Sequence, residues 1–116
     1  MKIGLNKMES NAVTLFRNLI TKNLQDEISW IILFGSRARG DFRKDSDIDV
    51  FILLNKKSWE IRDRIYDSLT ETILRYDVNI SLRIYSQKEY QTSKSMGSPF
   101  IHNLEKEGIV LWKKES

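Results

Sequence analysis

The seven residues Ile48-Asp49-Val50-Phe51-Ile52-Leu53-Leu54 contain a single polar side chain, Asp49, and after it no polar/apolar alternation. A strand with one face in water alternates, whereas a strand without alternation is covered on both faces. The run therefore predicts a strand central in its sheet, and the other elements must be arranged to cover it. It also poses an electrostatic problem. Asp47 and Asp49 stand two residues apart at its mouth, so on an extended backbone their side chains leave the same face. Ionised carboxylates at the entrance of a buried strand are costly unless compensated, and neighbouring ones repel each other unless a cation lies between them. Mg²⁺ suits such a pair, because it accepts one or two carboxylates and fills its other positions with water and phosphate oxygens.

Upstream, Ser29-Trp30-Ile31-Ile32-Leu33-Phe34 is β-branched and aromatic and ends at Gly35, which reads as another buried strand. The Gly35-Ser36 turn that follows presents backbone N–H donors, and a short helical turn starting at Ser36 would add its dipole to favour an anion. Glycine lets a phosphate approach the backbone closely, and the Ser36 hydroxyl supplies one more donor. A turn next to a paired-acid strand is the combination expected of a chain that holds a metal-bound nucleoside triphosphate.

The remaining elements supply the cover. Apolar positions Met8, Val13, Leu15, Phe16, Leu19, Ile20 and Leu24 fit one face of a helix over 8–25. Trp59, Ile61, Ile65, Leu69, Ile73 and Leu74 do the same over 58–75, with Ser58 as the cap. Residues 78–85 alternate strictly and predict a strand with one polar face. Ser86 with Glu89 forms a capping box for a third helix. Gly97-Ser98-Pro99 opens a fourth that ends at Gly108, and Ile109-Val110-Leu111-Trp112 adds a last strand. The expected fold is α+β, a mixed sheet flanked by helices, in one domain over residues 1–116.

Composition narrows the function classes. With 41% hydrophobic and 30% charged residues the chain reads as soluble and globular. It has no cysteine, which excludes disulfides and thiolate metal sites. No apolar run approaches the roughly 18 residues that span a bilayer, and residues 1–7 lack the apolar core of a signal peptide; a cytoplasmic protein without a membrane partner is expected. The net charge of +3 is mild, and outside Arg37, Arg39, Arg43 and Lys44 the basic residues are dispersed, which argues against nucleic acid as a direct partner. Self-association stays open, since three tryptophans and an apolar C-terminal segment leave material for an interface.

Gly35-Ser36, ten intervening residues and then Asp47-Ile48-Asp49 together resemble the signature of the nucleotidyltransferase superfamily that includes DNA polymerase β. The whole run from Gly35 to Leu54 is similar to its small stand-alone branch, the minimal nucleotidyltransferase (MNT) domains, and Ser98 to Ile109 is similar to that branch's ending. The resemblance implies a nucleotidyltransferase-like mixed sheet and transfer of a nucleoside monophosphate, AMP from ATP, to an acceptor. It implies that Asp47 and Asp49 are catalytic and bind one or two Mg²⁺ ions, and that Gly35 and Ser36 hold the triphosphate, with Arg37 and Arg39 as candidate phosphate contacts. It further implies a small helical HEPN-type protein as the partner, with this chain as the antitoxin of a toxin–antitoxin pair. Such enzymes usually carry a third carboxylate on the next strand. In this chain Asn79 stands at that position by its Val78-Asn79-Ile80 context, with Asp77, about 7 Å back along an extended chain, as the other candidate. Asn brings a carbonyl ligand but neither charge nor a carboxylate base. An alternative function is therefore a catalytically weakened module that neutralises a helical partner by contact, or that binds nucleotide without transferring it.

Overall fold

The computed structural model describes residues 3–41 and 46–115; Arg43 and Lys44 of the basic cluster lie outside them. The elements run α1 (Lys7–Leu24), β1 (Ile28–Phe34), β2 (Ile48–Leu54), α2 (Trp59–Tyr76), β3 (Ile80–Ser86), α3 (Gln87–Ser95), α4 (Pro99–Glu107) and β4 (Ile109–Lys113). The sheet has the order β3-β2-β1-β4, so the unbroken apolar run is a central strand as its composition requires. β1 lies antiparallel to β2 and to β4. β2 and β3 are parallel, joined by the crossover helix α2, because parallel neighbours need a long connection. The expected α+β fold with a mixed sheet is the fold observed.

Alternation decides where each strand residue goes. Val50, Ile52 and Leu54 of β2 pack with Ala12, Phe16 and Ile20 of α1 and Ile65 and Leu69 of α2. Phe51 and Leu53 point the other way, into a cluster with Ile32, Tyr90 of α3, and Ile101 and Leu104 of α4. The sheet is thus covered on both sides, and the one residue of β2 that is not buried is Asp49.

The helix starts follow their capping chemistry. Asn6 and Glu9 close a capping box on α1, Ser58 caps α2, Ser86 and Glu89 close the expected box on α3, and Ser98 caps α4 with Pro99 in the first turn. Ser86 is buried, and its Oγ accepts from the Glu89 amide at 3.2 Å while Glu89 accepts from the Ser86 amide at 3.0 Å. Removing that cap with Ser86→Ala should cost about 1 kcal/mol, read as a shift of the urea midpoint at constant slope.

One sequence expectation changes here. Asp77 does not share a strand face with Asn79. It is the C-cap of α2, held at φ 51° with its N–H donated to Ile73 O at 2.8 Å, a left-handed position that Asp tolerates better than most residues. β3 begins only at Ile80, so Asp77 belongs to the helix end. Of the three tryptophans, Trp59 alone is largely exposed, as are Tyr66 and Leu74 further along α2. Among the described residues no helix is long and apolar enough to cross a membrane.

Candidate active site

β1 ends at Phe34, which pairs with Asp49 across the ladder. Gly35 then turns the chain away at φ 78°. Two constraints meet at this residue. The backbone is left-handed, and a Cβ built there would overlap Asp49 Oδ2. Only glycine satisfies both, and the turn and the acid are therefore in direct apposition. Gly35→Ala should lose about 1–2 kcal/mol from the backbone alone and should displace the Asp49 carboxylate. The check is a chemical-denaturation midpoint together with divalent-ion affinity, both of which should fall.

Residues 36–40 make the expected single turn of helical bonding, with Arg39 N donating to Gly35 O at 3.3 Å, but they do not extend into a helix. Arg39 N donates to Ser36 O at 3.1 Å, Gly40 N to Arg37 O at 3.3 Å and Asp41 N to Ser36 O at 3.0 Å. These bonds curl the chain back toward its N-terminal segment, where Gly4 N donates to Arg37 O at 2.7 Å. Among the described residues no helix continues from this turn, so the donors offered to an anion are local amides and the Ser36 hydroxyl.

Asp47 is exposed, immediately before β2, and Asp49 is half-buried on its second residue. Burial pushes the Asp49 carboxyl above its usual range, and the charge of Asp47 pushes it further, while Arg83 and Arg39 pull it back. Negative charge at Asp49 is thus disfavoured by its surroundings, and a compensating cation would relieve it.

The two arginines of the motif separate. Arg37, expected as a phosphate contact, is 2% exposed, and protein groups occupy its guanidinium. Nε donates to Ser46 Oγ at 2.9 Å, Nη2 to Ser46 O at 3.1 Å, and Nη1 to Gly4 O at 3.1 Å and Glu9 Oε1 at 2.7 Å. It ties the residue preceding Asp47 to α1 and to the N-terminal segment, so its role is to hold the loop. Arg39 is exposed and reaches Glu107 of α4 at 3.3 Å. It lines a small cavity of about 160 Å³ with Phe34, Gly35, Phe100, Asn103, Leu104 and Glu107, and of the pair it is the arginine whose guanidinium is exposed.

The parallel ladder shows what stands beside the acids. Ile48 pairs with Ile80 and its N–H donates to Asn79 O at 2.9 Å, while Asp49 pairs with Ser81 and Phe51 with Arg83. Asn79 lies one residue before β3, and the neighbour of Asp49 is Ser81. Ser81 and Arg83 are the residues that sequence reading missed. The signal was present in the strict alternation of 78–85, which puts Asn79, Ser81, Arg83 and Tyr85 on one face, but the pairing register was needed to align that face with Asp49. Among the described residues no group of three or more His, Cys, Asp or Glu gathers as a metal-binding set.

The family model for "Polymerase beta, Nucleotidyltransferase" matches residues 17–116, which contain the glycine turn, both acids and all four strands. This chain belongs to the polymerase β nucleotidyltransferase family. Two relatives from Methanocaldococcus jannaschii agree with that assignment. "Putative protein adenylyltransferase MJ0604" is 34% identical over 90% of this chain and 98% of its own length. "Putative protein adenylyltransferase MJ0141" is 34% identical over 81% of this chain and 89% of its own length. The fold of the nucleotidyltransferase is also that of a chain in the MntA–HpeT toxin–antitoxin crystal structure, with a TM-score of 0.56 at 22% identity over 96% of this chain and 75% of that one. It is shared again with a putative nucleotidyltransferase from Sulfolobus solfataricus, with a TM-score of 0.50 at 20% identity over 97% of this chain and 92% of that one.

Proposed function

We propose that this nucleotidyltransferase moves AMP from Mg-ATP to a hydroxyl on a helical, HEPN-type partner protein, and so acts as the antitoxin of a toxin–antitoxin pair. The observation that carries the reading is the apposition of Asp49 Oδ2 to Gly35, with Asp47 close enough for its charge to act on Asp49. A hard-oxygen pair in which one acid is partly buried and repelled by its neighbour fits a hard divalent cation that brings phosphate oxygens and waters with it. Asp47 and Asp49 would hold Mg²⁺. The Gly35-Ser36 turn and Arg39 would hold the β- and γ-phosphates by N–H, O–H and guanidinium donors. The ion, when bound, supplies Lewis-acid stabilisation of charge on the phosphoryl oxygens. The chain's own residues supply position: an acceptor hydroxyl oxygen would attack the α-phosphorus as the bond to pyrophosphate breaks, with its proton passing to water.

The relatives' name, protein adenylyltransferase, supports AMP and a protein acceptor. The toxin–antitoxin origin of the structural neighbour supports the partner class. A second reading, neutralisation of the partner by contact with little transfer, draws on Asn79 at the expected third position and on Ser81 as the β3 neighbour of Asp49, neither of which is an acid.

The experiment is an incubation of α-labelled ATP, Mg²⁺ and the helical partner with the chain. The expected result is covalent label on the partner that disappears in Asp47→Ala. A stable complex that never takes up label would establish contact neutralisation instead.

A further inference from the structure

The β3 side of the cleft carries a cation where a second metal would need an acid. Neutral or positive residues follow one another there, two of them on the strand face of Asp49. Asn79 comes level with the approach to β2, Ser81 beside Asp49 and Arg83 beside Phe51. Arg83 is held in place from below: its guanidinium carbon lies 4.4 Å from the centroid of the Phe100 ring. That ring is itself fixed edge-on against Phe34 at 5.3 Å and packed on Phe51 at 6.0 Å. Phe34 is the ladder partner of Asp49, so the stack that supports Arg83 borders the acid.

We propose that this nucleotidyltransferase works with one divalent ion, not two, and that Arg83 binds the nucleotide phosphates on the β3 side in place of the second ion. The proposal rests on the nucleotide reading above and deepens it. A second ion seated between Asp49 and β3 would find one shared carboxylate and the Ser81 hydroxyl, and it would share that face with a guanidinium of like charge. Mg²⁺ gives up water reluctantly and is held through carboxylates and phosphates, so the β3 side is a poor cage for it. A guanidinium needs no cage. Its planar fork matches two phosphate oxygens, and stacking on Phe100 orients that fork before the ligand arrives. Arg39 stands in the turn after Gly35, on the β1 side of Asp49, so Arg39 and Arg83 would both be available to phosphate oxygens while Asp47 and Asp49 would hold the ion.

The test counts ions. The full chain is mixed with equimolar α,β-methylene-ATP and titrated with Mn²⁺, free Mn²⁺ being followed by its paramagnetic resonance signal. One Mn²⁺ per protein–nucleotide complex is expected, and two would overturn the proposal while leaving the nucleotide reading intact. If the chain binds no nucleotide at all, both fall together. Arg83→Ala should weaken the analogue by about tenfold or more, and Arg83→Lys should recover part of the loss because charge is kept and the fork is not. Unchanged affinity in Arg83→Ala, with circular dichroism confirming the fold, would remove Arg83 from the site. The double variant Ser81→Asp, Arg83→Ala exchanges the cation for an acid and should take up a second Mn²⁺; a count that stays at one would show that charge on β3 does not set the number.

Discussion

Replacing Arg37 with methionine is expected to destabilise the protein by about 3–5 kcal/mol, the usual cost of removing one partner from a buried ion pair. Methionine fills much of the volume, so the loss isolates the polar contacts rather than a cavity. Those contacts join three distant pieces of chain: Gly4, Glu9 on α1, and Ser46 before β2. Glu9 carries a double duty, since it also accepts from the Asn6 amide at 3.0 Å to close the capping box of α1. Burial alone would push the Glu9 carboxyl up, but the hydrogen bond from Arg37, the Asn6 amide and the Arg37 charge outweigh it and hold the carboxyl below its ordinary value. A depressed carboxylate contributes stability that is present above its unfolded value of 4.5 and lost as pH falls through the folded one. The parent should therefore lose stability on acidification below 4.5, and Arg37→Met, already lacking the pair, should show a flatter slope there. Against a total of about 5–15 kcal/mol for a domain of this kind, the melting temperature should drop by more than about 10 °C. Arg37→Lys should rescue little, because a single ammonium cannot serve Ser46 and Glu9 at once. A melting temperature within two or three degrees of the parent would mean that the guanidinium is not the clamp described.

That clamp shows where sequence reading stops. The central strand, the mixed sheet and the four helices were legible because each depends on local patterning: the unbroken run at 50–54, the helical spacing in α1 and α2, and Ser86 with Glu89 ahead of α3. The Gly35 turn after β1 and Asp49 near the head of β2 were legible for a similar reason, since a glycine after one apolar run and an acid opening another are local features. Arg37 and Arg39 have the same side chain and differ in sequence only by two positions. What separates them is which protein groups lie within reach, and Gly4 and Ser46 come to Arg37 only once the chain has folded. Ser81 stayed hidden for a related reason. Its strand and its face were read correctly, but the neighbour of Asp49 is set by the register between β2 and β3, a pairing of two strands that neither strand's sequence states alone. Asp77 was misread because helix C-caps formed by a left-handed aspartate look in sequence like the first residue of the following strand.

Asp49→Asn should produce opposite effects on stability and binding, which gives the metal assignment its strongest test. Without ligand, the folded Asp49 carboxylate is poorly solvated and faces Asp47, so its affinity for a proton is raised. A group raised in this way stabilises the fold fully below its ordinary value of 3.8, and that contribution disappears as pH rises through the folded value. At neutral pH the charge is therefore a cost, and asparagine, nearly the same shape, should melt above the parent, with the gap narrowing as pH falls toward 4 and below. Binding runs the other way. Even partners that only orient a metal ligand cost 10–100-fold in affinity when lost, so losing a ligand should weaken Mg-ATP analogue binding by more than about 100-fold in calorimetry. Ligand raises the apparent stability of whatever binds it. Saturating Mg²⁺ and analogue should then lift the parent above the variant and reverse their order. Such a reversal is the signature of a site kept at the expense of the fold. Equal affinity in the two proteins would show that the carboxylate does not hold the ion, and a neutral-pH variant that melts below its parent without ligand would show that the strained charge at the head of β2 does not exist.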